Sequence, residues 1–213
     1  HRLEKFDKFK INRTHVWFAL KLFFINPSMF KQIKNDISVY IQNVAAHKFM
    51  KDKLLGLVDD CKSNPLDNVS NTDWHESNIE RKYWDCFYSM IEPYLENLCL
   101  RLNKEKFTIV NYWFQQYETN SKHDWHIHFD NLTKIFSGRA QEEHNQWVEK
   151  ADGFGGIYYL ELPEDVGTEF LNYPKLDYQE GDLVTFPAFL PHRSPINLTN
   201  KRKTSIVFNY TYE

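Results

Sequence analysis

The residues best suited to chemistry lie in one short run, His123-Asp124-Trp125-His126-Ile127-His128-Phe129-Asp130. Polar and apolar residues alternate through it, which is the period of a half-buried strand. Successive side chains on a strand point to opposite faces, so His126, His128 and Asp130 share one face while Trp125, Ile127 and Phe129 take the other. Burying such a row of polar groups unpaired costs several kcal/mol, so this face needs water, hydrogen-bond partners or a cation. A face turned to solvent would meet that need. The case for a cation comes from His192, which lies far downstream at the end of a predicted strand, just past Pro187 and Pro191. Two ligands from one strand and a histidine from another make a facial set on a divalent metal and leave positions open for oxygen donors. Read directly from the residues, that set is His128, Asp130 and His192.

A second feature fits an extended ligand on such a metal. Arg202 and Lys203 precede Ser205 on the last predicted strand. A dicarboxylate that reaches away from the metal needs a cation at its far end, and a hydroxyl can share that carboxylate. A basic surface turn is the plain alternative.

The elements that must position these residues divide the chain in two. Its 213 residues are 42% hydrophobic and include 17 Phe, 12 Tyr and 6 Trp, enough to bury a sizeable core. Before residue 107 the pattern is helical. Phe30, Ile33, Ile37, Tyr40, Ile41 and Val44 form one stripe, Phe49, Leu54, Leu55, Val58 and Cys61 a second. Trp84, Phe87, Tyr88, Ile91, Leu95 and Leu98 form a third within residues 79–102. The stretch 63–73, dense in Asn, Ser, Asp and Pro, reads as loop. From Phe107 short strands alternate with Gly/Pro turns: 107–117, the histidine run, 157–162, 168–173, 183–186 and 204–212, with Gly153 to Gly156 closing the non-β stretch before Ile157. This spacing predicts a mainly β fold with flanking helices, a jelly roll under an N-terminal helical layer. One compact unit is expected, with residues 1–106 as arm and buttressing helices and 107–213 as the β core. Residues 131–154 form an insertion in that core, with a helix over 139–150 and Trp147 and His144 as candidate lid contacts.

Net charge is −3, which argues against a bulk field for nucleic acid or acidic membranes. The most apolar stretch, 16–24, is interrupted by Lys21 and is too short to span a bilayer. Cys61, Cys86 and Cys99 lack metal-type spacing and are odd in number, the pattern of free thiols; a cytoplasmic setting is expected.

Four motifs in order carry a family resemblance: Trp125-His126-Ile127-His128, Gly156-Ile157-Tyr158-Tyr159-Leu160, Gly181-Asp182-Leu183-Val184-Thr185-Phe186-Pro187 with His192, and Lys203-Thr204-Ser205-Ile206-Val207-Phe208-Asn209. Over residues 107–212 the chain resembles the 2-oxoglutarate/Fe(II)-dependent dioxygenases, in particular prolyl-hydroxylase-like oxygenases of the phage-encoded type. The resemblance implies a double-stranded β-helix with Fe(II) and 2-oxoglutarate as cofactor and cosubstrate, and O2 as oxidant. It also implies a hydroxylase that couples 2-oxoglutarate decarboxylation to oxidation of a C–H bond in a small molecule or a peptide or protein side chain. Residue by residue, it makes His192 the distal ligand and assigns Arg202 or Lys203, with Ser205, to 2-oxoglutarate, near Tyr117. Counted from Tyr117, the family's His-x-Asp pair falls on His126 and His128, so His126 competes with Asp130 as third ligand. Two other readings stand beside this one: a cupin-like enzyme with a three-histidine metal site that does not use 2-oxoglutarate, and a non-catalytic jelly-roll binding module.

Overall fold

Alternation along the strands after Phe107 sorts their side chains onto two faces, and each face has its own core. The computed structural model describes residues 39–128 and 153–213. In chain order its elements are β1 (Tyr40–Asn43), α1 (His47–Asp59), β2 (Asn64–Leu66), β3 (Val69–Thr72), α2 (Lys82–Arg101), β4 (Phe107–Tyr117), β5 (His123–His126), β6 (Gly153–Glu161), β7 (Glu169–Phe170), β8 (Asp182–Pro187), β9 (His192–Ser194) and β10 (Lys203–Tyr212). Seven strands form one antiparallel sheet in the order β1-β8-β6-β10-β4-β3-β2, and three form a second in the order β5-β9-β7.

On one face of the large sheet, Phe114, Tyr158, Leu160, Leu183, Ile206, Phe208 and Tyr210 pack with the buried stripes of the two helices. The α2 stripe is Tyr83, Trp84, Phe87, Met90, Ile91, Leu95, Leu98 and Cys99, the three- and four-residue spacing of a helix seated on a sheet. On the other face Trp113, Ile157, Tyr159, Val184, Phe186 and Val207 meet Phe170 of β7 and Leu190. Sheets covered on both faces read as continuous apolar runs, which is why 157–160 and 206–208 look so uniformly hydrophobic. This is the jelly-roll architecture with helices on one side. Among the described residues no helix is long and apolar enough to cross a membrane.

Four expectations need correction. Tyr40 to Asn43 are strand, not helix. They pair with β8, and Asn43 Nδ2 donates to Asp182 Oδ1 at 3.0 Å. A β-prone edge sequence can mimic helical spacing over one turn, and here the open side of β8 decides. Phe30, Ile33 and Ile37 of that stripe lie outside the described residues, as do Trp147, His144 and the helix expected over 139–150. The stretch 63–73 holds the β2–β3 hairpin, turned at Asp67 with φ 52°. Pro65 is tolerated there because β2 is the outermost strand. Gly153 to Gly156 belong to β6 rather than closing the stretch ahead of it. Gly156 cannot carry a side chain, since a Cβ would lie 2.2 Å from Phe208 Cζ. Finally, β5 ends at His126, because His128 N–H turns away to the Ala188 carbonyl at 2.9 Å.

Candidate metal centre

Strand pairing brings the histidines together. β5 and β9 run antiparallel with His126 opposite His192, and the bond to Ala188 folds His128 over the same point. The ligand atoms of His126, His128 and His192 all lie within 4.8 Å of one another. Each ring has its Nδ1 tied to a carbonyl-type oxygen: His126 to Asp124 O at 2.8 Å, His128 to Asn209 Oδ1 at 2.7 Å, His192 to Leu190 O at 2.9 Å. A carbonyl can only accept, so each Nδ1 carries the proton and each Nε2 presents a lone pair inward.

Two of those lone pairs confront each other, with His128 Nε2 and His192 Nε2 3.1 Å apart. Protonation is a poor remedy. Burial, then the charge of His126, lowers the His128 pKa to about 3, and burial with both neighbouring imidazoles holds His192 well below its usual value. A cation is the better one. Two nitrogens bound at right angles to one ion, each about 2.1 Å away, are themselves about 3.0 Å apart. The donor set therefore fits a divalent transition metal. Phe186 packs 4.6 Å from His192 and Trp113 5.6 Å from His128, centroid to centroid, so apolar rings wall the site.

The His128 support continues outward. Asn209 Nδ2 donates to Asn111 Oδ1 at 2.8 Å, which leaves Asn209 Oδ1 for the imidazole. Gly155 faces Asn209 across the β6–β10 pair, and a Cβ there would come within 3.0 Å of His128 Nδ1. Losing the partner of a ligating histidine typically costs about 10–100-fold in metal affinity. Asn209→Leu is expected to weaken Co(II) binding in that range, followed by visible absorption, whereas Asn209→Asp, which keeps the acceptor, is expected to retain it.

A recess opens from the histidines between the two sheets, with about 310 Å³ of empty space including its mouth. Lys203, Ser205, Tyr117, Gln115, Ser194 and Thr168 line it. Lys203 is 2% exposed, and its Nζ donates to Val166 O and Ser194 Oγ, both at 2.8 Å, beneath the rings of Tyr117 and Tyr159. Among the described residues no carboxylate pairs with it, and burial lowers its pKa to about 7. Ser205 Oγ is buried and finds no hydrogen-bond partner among the described residues. Tyr117 OH donates to Gln115 Oε1 at 2.7 Å.

Not every expected residue joins this recess. Arg202 points elsewhere: its guanidinium bridges Glu161 and Asp59 at 2.8 and 2.9 Å. Asp130 lies outside the described residues. Gln115 and Ser194 leave no mark in the sequence, whereas Asn209, a polar residue inside the apolar run of β10, is visible there though without a role.

No protein-family model matches the chain, and no curated protein sequence does either. Solved structures do. A viral collagen prolyl hydroxylase from Paramecium Bursaria Chlorella virus-1, in complex with 2-oxoglutarate, superposes with a TM-score of 0.53 at 11% identity, over 81% of this chain and 96% of the other. A 2OG-Fe(II) oxygenase family oxidoreductase from Burkholderia pseudomallei gives 0.57 at 9% identity, over 87% and 90%. HygX from Streptomyces hygroscopicus, with nickel, 2-oxoglutarate and hygromycin B bound, gives 0.56 at 10% identity, over 86% of each chain. The chain is therefore similar in fold to 2-oxoglutarate/Fe(II) oxygenases, the family that its sequence motifs resemble.

Proposed function

We propose that this protein is an Fe(II)- and 2-oxoglutarate-dependent oxygenase of the hydroxylase type. One observation carries the reading: three inward-facing imidazole lone pairs and a buried lysine with no carboxylate partner among the described residues line the same recess. His126, His128 and His192 would hold the iron, with His126 rather than Asp130 as third ligand. Lys203, not the engaged Arg202, would take the far carboxylate of 2-oxoglutarate, and the hydroxyl of Ser205, without a partner among the described residues, would share it. When bound, iron would supply the redox chemistry by which 2-oxoglutarate and O2 become succinate and CO2 while a substrate C–H becomes C–OH. In that balance one oxygen atom enters succinate and the other enters the product.

The chain's own part is placement. Fixed Nδ1–H bonds aim the three Nε2 atoms, and the apolar rings of Phe186, Phe170 and Trp113 keep bulk water from them. Lysine acts on the carboxylate as a point charge, so Ser205 supplies direction that a bidentate guanidinium would otherwise give. The substrate would be a small molecule or a peptide or protein side chain.

The test is anaerobic titration with Fe(II) and then 2-oxoglutarate, watching for the visible metal-to-ligand charge-transfer band of the chelate. The band is expected in the wild type. In Lys203→Met it is expected only at far higher 2-oxoglutarate, by about 10–100-fold, the usual size of a lost charge-assisted hydrogen bond. Affinity should also depend on pH. Below about pH 7 free Lys203 is already charged and affinity is flat. Above it the free lysine loses its proton, so affinity falls by up to about tenfold per pH unit. The ligand-free protein should show the opposite trend in stability. Between about pH 7 and the ordinary lysine value the unfolded chain binds the extra proton, so stability rises with pH across that window.

The all-imidazole donor set favours a second reading, a cupin-like metal enzyme that does not use 2-oxoglutarate. Iron binding with no band at any 2-oxoglutarate concentration would select it.

A further inference from the structure

A fourth histidine lies beside the three, and its hydrogen bonds give it the opposite tautomer. Tyr117 OH donates to Gln115 Oε1 at 2.7 Å, which turns the Gln115 amide so that Nε2 faces His123 Nδ1 at 3.3 Å. An amide nitrogen can only donate, so His123 Nδ1 accepts and the ring's proton is on Nε2. The three ligand candidates carry theirs on Nδ1. His123 is thus built as a donor and not as a ligand.

Its position follows from strand register. β9 runs from His192 to Ser194, and β5 runs the other way, with His126 opposite His192 and His123 opposite Ser194. Ser194 Oγ holds Lys203 Nζ at 2.8 Å. His123 therefore stands at the lysine end of the pair and His126 at the metal end. The two rings stack, with centroids 3.9 Å apart and 23° between planes. His123 lines the recess together with Lys203, Ser205 and the three ligand candidates.

We propose that His123 is a cosubstrate-binding residue whose Nε2–H donates to a carboxylate oxygen of the dicarboxylate lying between the metal end and Lys203. The inference rests on the proposed 2-oxoglutarate chemistry and adds to it a neutral donor that the ligand motif does not include. Lys203 supplies charge from among tyrosine rings, whereas His123 supplies a directed bond from a ring held on one side by Gln115 and on the other by His126. The chain Tyr117–Gln115–His123 is a positioning relay: the phenol sets the amide, and the amide sets the imidazole.

The competing role is purely structural, a ring stacked under His126 to steady it. His123→Phe separates the two, because it keeps an aromatic ring on His126 and removes the N–H. Isothermal titration under anaerobic conditions would measure Fe(II) binding first and then 2-oxoglutarate binding to the iron-loaded protein. The expected result for His123→Phe is unchanged Fe(II) affinity and a 2-oxoglutarate Kd raised about tenfold or more. Gln115→Leu, which frees the relay without touching the stack, is expected to shift the 2-oxoglutarate Kd in the same direction by less. In turnover, the KM for 2-oxoglutarate should rise in His123→Phe while kcat at saturation changes little. If the wild type binds 2-oxoglutarate and His123→Phe binds it within twofold, the inference is overturned and the proposed function stands. A loss of Fe(II) affinity in His123→Phe that accounts for the whole effect also overturns it. If the wild-type iron protein does not bind 2-oxoglutarate at all, both fall together.

Discussion

His192→Ala is expected to abolish Fe(II) binding at concentrations that saturate the wild type. The loss should exceed the ~10–100-fold that follows when a ligating histidine loses only its hydrogen-bond partner. His192 is 2% exposed and packed among Phe186, Phe170 and the other imidazoles, and the two phenyl rings offer no replacement ligand. The same substitution leaves a ring-sized hole at the end of a short strand, so exogenous imidazole should restore part of the binding. That rescue separates loss of a ligand from loss of fold. His128→Ala is expected to behave alike. His126→Ala and Asp130→Ala then identify the third ligand: loss in the first with retention in the second is the outcome expected for three imidazoles. The reverse pattern would give the third position to Asp130. Fe(II) affinity unchanged in His192→Ala would move the metal away from this cluster altogether.

Asp73→Ala is expected to cost about 3–5 kcal/mol of stability, the range for removing one partner of a buried ion pair. Asp73 is fully buried at the junction of the β2–β3 hairpin, α2 and β4. Its carboxylate accepts from Arg81 Nε at 2.6 Å, Tyr83 OH at 2.7 Å and the Phe114 amide at 2.8 Å. Alanine would strand all three donors, one of them a cation. Such a loss is a large part of the roughly 5–15 kcal/mol that holds a typical domain together. Asp73→Asn keeps the shape and one acceptor, so it should lose less. Urea unfolding of the metal-free proteins measures both, and a midpoint for Asp73→Ala close to the wild type would refute the account. The hub lies on the helix side of the sheet, away from the recess. Any residual folded Asp73→Ala should therefore still bind metal.

How much of this could be read from the chain depends on whether a feature is local. The period-two alternation at 123–130 is local, and it put His126 and His128 on one face before any fold was known. His192 was legible because a histidine after two prolines at a strand end is unusual. The competition between His126 and Asp130 was not resolvable, since it turns on where β5 ends. That end is set by a bond from His128 N–H to Ala188, 60 residues away. Lys203 against Arg202 is likewise decided by facing: adjacent strand residues point opposite ways, so only one could enter the recess. The β2–β3 hairpin escaped notice because its residues are polar and its strands are short. β1 carries helical spacing in the sequence because four residues are too few to tell one period from another.

β10 carries a design consequence. Lys203, Ser205, Val207 and Asn209 are alternate residues on one face of a single strand, the first three lining the recess and the last bonding His128. Six residues of strand span about 20 Å, so the separation between the lysine proposed to hold a carboxylate and the support of the candidate metal ligand His128 is written into one stretch of backbone. No hinge or loop between them can adjust it. A one-residue insertion between Ser205 and Asn209 would turn the two ends to opposite faces of the sheet, whereas one in the 195–200 connection would leave them aligned. On the proposed function, the strand would work as a fixed gauge of ligand length. Variants meant to accept longer or shorter 2-oxoacids must therefore change side chains along it and leave its residue count alone.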